Sequence, residues 1–154
     1  MTTHASQPAS LDVFYEAAPG SVRRARLDVA ALAARHGAEE EQLERVRLAV
    51  SEAVTNALMH GYGGEEARRV QVTAAVIDGE LTVVVADDGC GLGAAGASPG
   101  LGLGLGVISL GCDALSIVAR AGGGTQIEMR FALGSLPAPP AQERGSLASA
   151  SSPA

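Results

Sequence analysis

The chain has 154 residues, with 17 acidic and 11 basic side chains and a formal net charge of −6. That length reads as one domain, large enough to bury a core without disulfide staples, and the acidic balance argues against a direct nucleic-acid partner. Hydrophobic residues make up 47% and aromatic residues only 3%, so the core is expected to be packed from Ala, Val and Leu.

Residues 1–10 are polar and are expected to be flexible. Leu11 to Glu16 alternates apolar and polar, as a half-buried strand does. Pro19-Gly20-Ser21 interrupts the chain, with Ser21 a candidate N-cap or Pro19 the first helical residue. A helix is predicted from there to His36, with Val22, Ala25, Val29, Leu32 and Ala33 on one face and Gly37 as its stop. A second helix is predicted from Glu39 to Met59. Its acidic first turn suits the helix dipole, and Leu43, Val46, Val50, Val54 and Ala57 form its apolar stripe.

Arg69 to Asp78 reads as a strand, Asp78-Gly79 as a two-residue hairpin turn, and Leu81 to Ala86 as a buried central strand. Residues 88–102 are rich in Gly and Ala and are expected to form a mobile loop. A short helix is expected near Gly104, carrying Val107, Ile108 and Leu110. Two strands should follow, Ala114 to Ala121 and Thr125 to Leu133, joined by Gly122-Gly123-Gly124. From Gly134 to Ala154 the Pro/Ala/Ser-rich composition predicts a disordered tail, leaving residues 11–133 as the folded domain. The order β-α-α-β-β-loop-α-β-β predicts an α/β two-layer sandwich, a mixed and mostly antiparallel sheet with its helices on one face.

Two cysteines, Cys90 and Cys112, make no disulfide framework. The first twenty residues lack a basic stretch followed by an apolar one, and no apolar run is long enough to cross a bilayer. The expectation is a soluble cytoplasmic protein with no membrane partner.

Three short segments carry the chemistry. Glu52 and Asn56 lie one turn apart on the second helix, on the same side. Such a pair at the edge of an amphipathic stripe is usually just solvated. As a working pair, the Asn56 carbonyl suits Mg²⁺, a hard cation that takes oxygen ligands, and Glu52 suits proton abstraction from a hydroxyl. Asp87-x-Gly89-x-Gly91 follows the buried strand. It reads either as a tight turn or as a carboxylate that accepts a hydrogen bond from an exocyclic amine such as adenine N6. Gly102-x-Gly104-x-Gly106 precedes the short helix, where backbone N–H groups make an anion site. All eleven basic residues are Arg, which excludes a Walker A loop with its phosphate-binding Lys. No Arg lies between Arg69 and Arg120, so phosphate charge would fall to Mg²⁺ and backbone N–H groups, or to an Arg from elsewhere in the fold.

With these segments in order, the chain resembles the GHKL ATPases, which share the Bergerat fold, over roughly residues 11–133. Ser51-Glu52-Ala53-Val54-Thr55-Asn56-Ala57 with His60-Gly61-Tyr62 is similar to the N box of the SpoIIAB/RsbW-type anti-sigma factor serine kinases. The resemblance implies Glu52 as general base and Asn56 as Mg²⁺ ligand. It implies Asp87 as the adenine reader, helped by Gly91 of the Asp87-x-Gly89-x-Gly91 box and, through water, by Thr125. Gly102 and Gly104 would lie against the phosphates of ATP.

It further implies two partners, a sigma factor and a STAS-domain anti-sigma-factor antagonist whose serine is phosphorylated, and a homodimer. Phosphorylation would add charge at the antagonist contact and oppose rebinding. Arg23, Arg24 and Arg26 on the first helix are the candidate sigma-factor contacts. The loop before Gly102 lacks the basic residue that sporulation-type members carry. A non-catalytic ATP-binding switch that acts by binding a partner therefore stands beside the kinase reading. A histidine kinase would need a phospho-acceptor helix pair, and a GyrB/MutL-type ATPase a transducer domain. No stretch here reads as either.

Overall fold

The computed structural model describes residues 10–60, 69–87, 101–121 and 123–134. The expected flexible N-terminus and disordered tail lie outside these residues, apart from Ser10 and Gly134. So do 61–68 after the second helix and 88–100, most of the expected mobile loop.

Strand β1 (Ser10–Glu16) places Leu11, Val13 and Tyr15 toward the helices, and Phe14 toward the opposite face, where the Arg69 guanidinium covers its ring at 4.6 Å. Helix α1 (Ser21–Arg35) corrects the expected cap. The N-cap position is Gly20 at φ 90°, and no side chain caps the helix. Ser21 is already helical, and its hydroxyl donates to the Glu16 carbonyl at 2.5 Å, tying the helix start to the strand just completed. The stop at Gly37 is as expected. The Ala38 N–H donates to Ala33 O (3.1 Å) and the Gly37 N–H to Ala34 O (3.3 Å), a Schellman ending that needs the left-handed φ of 90° at Gly37.

Helix α2 (Glu40–His60) starts with half of a capping box: the Glu39 N–H donates to Gln42 Oε1 at 2.9 Å, and the Leu43 N–H makes the first helical bond, to Glu39 O. Its stripe Leu43, Val46, Val50, Val54 and Ala57 is buried as expected, joined by Ala49 and Ala53. These small side chains let α2 lie close to both α1 and the sheet.

Strands β2 (Arg69–Ile77) and β3 (Glu80–Asp87) are joined by Asp78 and Gly79 at φ 50° and 77°, the pair of positive angles that a tight type I′ hairpin requires. Helix α3 (Leu101–Gly111) follows, then β4 (Ala114–Ala119) and β5 (Thr125–Ala132). Helix α3 starts earlier than the sequence suggests, so Gly102 and Gly104 belong to its first turns and do not precede it.

The sheet order is β1-β2-β3-β5-β4. The expected mixed sheet is also corrected: every pairing among the described residues is antiparallel. Strands β3 and β4 do run in the same direction, as a crossover through a helix demands, but β5 is inserted between them and pairs with both.

Register assigns the faces. Val72, Val85 and Ile127 stand in one row and Ala74, Val83 and Met129 in the next; all six are buried, on the helix side, with Leu81 and Phe131 beyond. The opposite face carries Phe14, Ile77 and Val118, all well exposed, among polar side chains. The result is the two-layer α/β sandwich, with one core between sheet and helices.

Candidate functional site

The candidate residues gather at one end of the sandwich because of where α2 starts. Gln42, in its first turn, donates Nε2 to Gly134 O at 2.9 Å, which fixes that end of α2 beside the end of β5. Asn56 lies fourteen residues along the helix, about 21 Å away at 1.5 Å per residue. Thr125 lies seven residues back along β5, about 24 Å from Ala132 at 3.4 Å per residue. Asn56 and Thr125 therefore reach the same end of the molecule. Ala86 pairs with Gln126, so Asp87 and Thr125 occupy the next step of the same ladder, on the helix-covered side with Val85 and Ile127. In that row Asp87 also pairs with Val70, and Val70 with Tyr15.

Here the burial pattern departs from that of a plain core. Asp87 and Thr125 are each 5% exposed and Asn56 8%, three of the four buried polar residues described. Polar groups in such places are normally satisfied. The Asn56 Nδ2 is buried without a hydrogen-bond partner, the one such side-chain atom among the described residues. Glu52, one turn earlier, is half-buried. A buried amide with an unpartnered end, next to a half-exposed carboxylate, is a place where a ligand supplies the missing partner. Turning that amide presents its oxygen, so the residue also fits a hard cation. Among the described residues no three His, Cys, Asp or Glu side chains cluster to hold a metal. A cation at Asn56 would take most of its ligands from phosphate and water.

Helix α3 contributes through its direction. Gly111 at its end packs so closely on α2 that a Cβ there would lie 3.3 Å from Arg45 O and 3.4 Å from the Ala49 Cβ. From that end the chain enters β4 at Ala114, opposite Arg130, far from Asp87. The start of α3, with Gly102 and Gly104, therefore lies toward the Asp87 end. Gly89 and Gly91 lie outside the described residues.

One side chain at this end was not singled out by sequence: Arg120, whose Nη1 donates to the Asp87 carbonyl at 3.0 Å. Its only sequence signal is its position as the cation beside the Gly122-Gly124 turn, five residues before Thr125.

A cleft of about 310 Å³ lies at the opposite end, lined by Glu39, Gln42, Arg45, Asp113 and Phe131 among others. Its polar groups serve one another. Arg45 pairs with Glu41 at 2.8 Å, and the Ala132 N–H donates to Asp113 Oδ2 at 2.7 Å. It lies where α2 begins beside the Ala132 end of β5, remote from the Asn56 end.

Comparison with known proteins decides the family. The model of the histidine kinase-like ATPase domain matches residues 15–131. The chain belongs to that family. An anti-sigma F factor of Clostridium novyi (strain NT) is 40% identical over 68 residues, covering 44% of this chain and 48% of that protein. One from Clostridium acetobutylicum is 43% identical over 68 residues and 47% of its length. The chain thus spans about half the length of these relatives. A crystal structure of the RsbU and RsbW domains of Rv1364c from Mycobacterium tuberculosis superposes with a TM-score of 0.64. It shares 25% identity and matches 80% of this chain and 32% of that one. The family and the fold expected from Glu52, Asn56 and the glycine segments are those found. No helix among the described residues is long and apolar enough to cross a membrane.

Proposed function

We propose that this domain binds Mg-ATP at the Asn56–Asp87 end and acts as a cytoplasmic anti-sigma factor and protein-serine kinase, phosphorylating a STAS-type antagonist in a partner switch. The observation that carries the reading is the buried, unpartnered Asn56 amide one turn from Glu52, in a family of ATPase domains and in a chain similar to anti-sigma F factors.

Asn56 would hold the Mg²⁺ through its side-chain oxygen, and Asp87 would accept a hydrogen bond from adenine, with Thr125 beside it and Gly89 and Gly91 leaving room for the base. Gly102 and Gly104, in the first turns of α3, would offer backbone N–H groups to the phosphates. The metal ion, when bound, offsets phosphate charge. The protein's own chemical part is small, as phosphoryl transfer allows. Glu52 takes the proton of the serine hydroxyl while that oxygen bonds to the γ-phosphorus and the bond from phosphorus to the ADP oxygen breaks.

Arg23 and Arg24, exposed on α1, and half-buried Arg26 form the basic face proposed to meet the sigma factor, and the working unit is proposed to be a homodimer.

The test incubates the purified protein with a STAS-domain antagonist and labelled Mg-ATP. Transfer of label to a serine is expected. Glu52→Gln should cut transfer by at least about 100-fold, the usual scale of a lost general base, with ATP affinity within a few-fold of wild type. One observation favours a second reading: residues 88–102 contain no Lys or Arg to hold a γ-phosphate. Tight ATP binding with no labelled antagonist would establish the non-catalytic switch instead.

A further inference from the structure

We propose that Arg120 is a positioning residue for the nucleobase: it fixes the Asp87 main chain and thereby sets how sharply the site separates adenine from a base that lacks the exocyclic amine. This inference rests on the reading of Asp87 as the adenine acceptor.

The ladder between β3 and β5 ends at the Ala86–Gln126 pair. Asp87, the last residue of β3, pairs on one side with Val70 of β2. On the β5 side its carbonyl accepts from Arg120 Nη1 at 3.0 Å, a contact that comes from the β4–β5 turn. Arg120 is itself anchored at both main-chain groups. Its N–H donates to Gly124 O at 3.0 Å, and its carbonyl accepts from the Gly123 N–H at 3.2 Å. The turn that makes this possible uses Gly123 at φ 111° and Gly124 at φ 94°. The same turn leads directly into Thr125, the other buried polar residue of that row. One half-buried guanidinium thus joins the β4–β5 turn to the end of β3, and couples the two side chains that would flank the base.

Position matters here because of what the carboxylate reads. Adenine offers an N–H donor to it; hypoxanthine offers a carbonyl oxygen, which leaves a buried carboxylate facing an acceptor. Sites built on such a contact discriminate strongly, and discrimination falls once the acceptor is free to move or to admit water.

The experiment measures affinities for ADP and inosine diphosphate by calorimetry, with the full chain and Mg²⁺. Wild type is expected to prefer ADP. Arg120→Met should lower that preference about tenfold, the scale of one charge-assisted hydrogen bond, mainly by weakening ADP. Arg120→Lys, which keeps an N–H donor of similar reach, should retain most of it. Arg120→Gln keeps a polar end but falls short of the Asp87 carbonyl. It should behave like Met, and it is decisive if the Met variant does not fold.

An unchanged preference in a folded Met or Gln variant overturns the inference, as does parallel weakening of both nucleotides, which is what a purely structural role produces. Equal binding of the two by wild type would instead overturn the reading of Asp87, and this inference with it. No nucleotide binding at all would overturn the proposed function.

Discussion

Replacing Asn56 with Leu should make the nucleotide-free protein more stable while removing its response to Mg-ATP. Asn56 is 8% exposed and its Nδ2 has no partner, so the fold bears the cost of a buried unsatisfied donor. Such a group costs about 1–3 kcal/mol. Leu has the same branching and no polar atoms. Allowing for its larger methyl groups, the net gain should be about 1–2 kcal/mol. At about 4 °C per kcal/mol for a domain near 100 ordered residues, the thermal midpoint should rise by roughly 4–8 °C. Saturating nucleotide works in the opposite direction. At 100 times its dissociation constant, a ligand adds about 2.7 kcal/mol to wild type and nothing to a variant that cannot bind it. Scanning calorimetry with and without Mg-ATP should therefore reverse the order of the two proteins. A lower midpoint for free Asn56→Leu, or no wild-type shift on adding Mg-ATP, would show that this amide is not held in reserve for a ligand.

Two further perturbations test the frame around the site. Tyr15 OH donates to Asp28 Oδ2 at 2.7 Å, and burial first, then the Asp28 hydrogen bond and charge, push the phenol well above its ordinary range. The folded chain therefore holds that proton more tightly than the unfolded chain. The stabilisation is full below about pH 10, where an unfolded tyrosine titrates, and is lost as pH rises beyond it. Tyr15→Phe should cost about 1–2 kcal/mol at neutral pH and flatten the decline above pH 10 in urea titrations. Gly111→Ala would set a Cβ 3.3 Å from Arg45 O, against main chain that yields little. It should lower stability by about 1 kcal/mol in the same assay, and an unchanged midpoint would mean that α3 does not approach α2 as closely as described.

Local order was readable wherever one period dominated. The stripes of α1 and α2, the Asp78-Gly79 turn and the alternation in β1 all follow from spacing and turn chemistry, and the structure reproduces them. Glu52 and Asn56 were legible for the same reason: four residues on a helix fix a shared side. The burial of Asn56 was not, because it depends on how α2 lies on the sheet. The ends of elements were less secure. Ser21 looks like a cap by type, yet its hydroxyl finds the Glu16 carbonyl, a partner supplied by the preceding strand. The Gly-x-Gly spacing near 102 suggested a loop where α3 already runs. Arg120 could not be read at all, since its contact with Asp87 spans 33 residues and arises only after β5 is placed between its neighbours. That placement leaves no local signal, because β4 and β5 follow one another as any hairpin would.

The inserted position of β5 sets the order in which this protein can be completed. Among the described residues β5 is the last strand in sequence, and it lies next to the centre of the sheet. As the chain leaves the ribosome, α1, α2 and strands β1 to β3 all precede β5. Strand β4 has no β3 edge to join, since in the finished sheet it touches only β5. Thr125, half of the row proposed to flank the base, and the Arg120–Asp87 contact beside it take their places only when residues 125–132 pair with β3 and β4. A chain cut off before Thr125 would carry Glu52, Asn56 and Asp87 and still have no finished pocket. On the proposed reading, nucleotide binding would report that synthesis has passed β5.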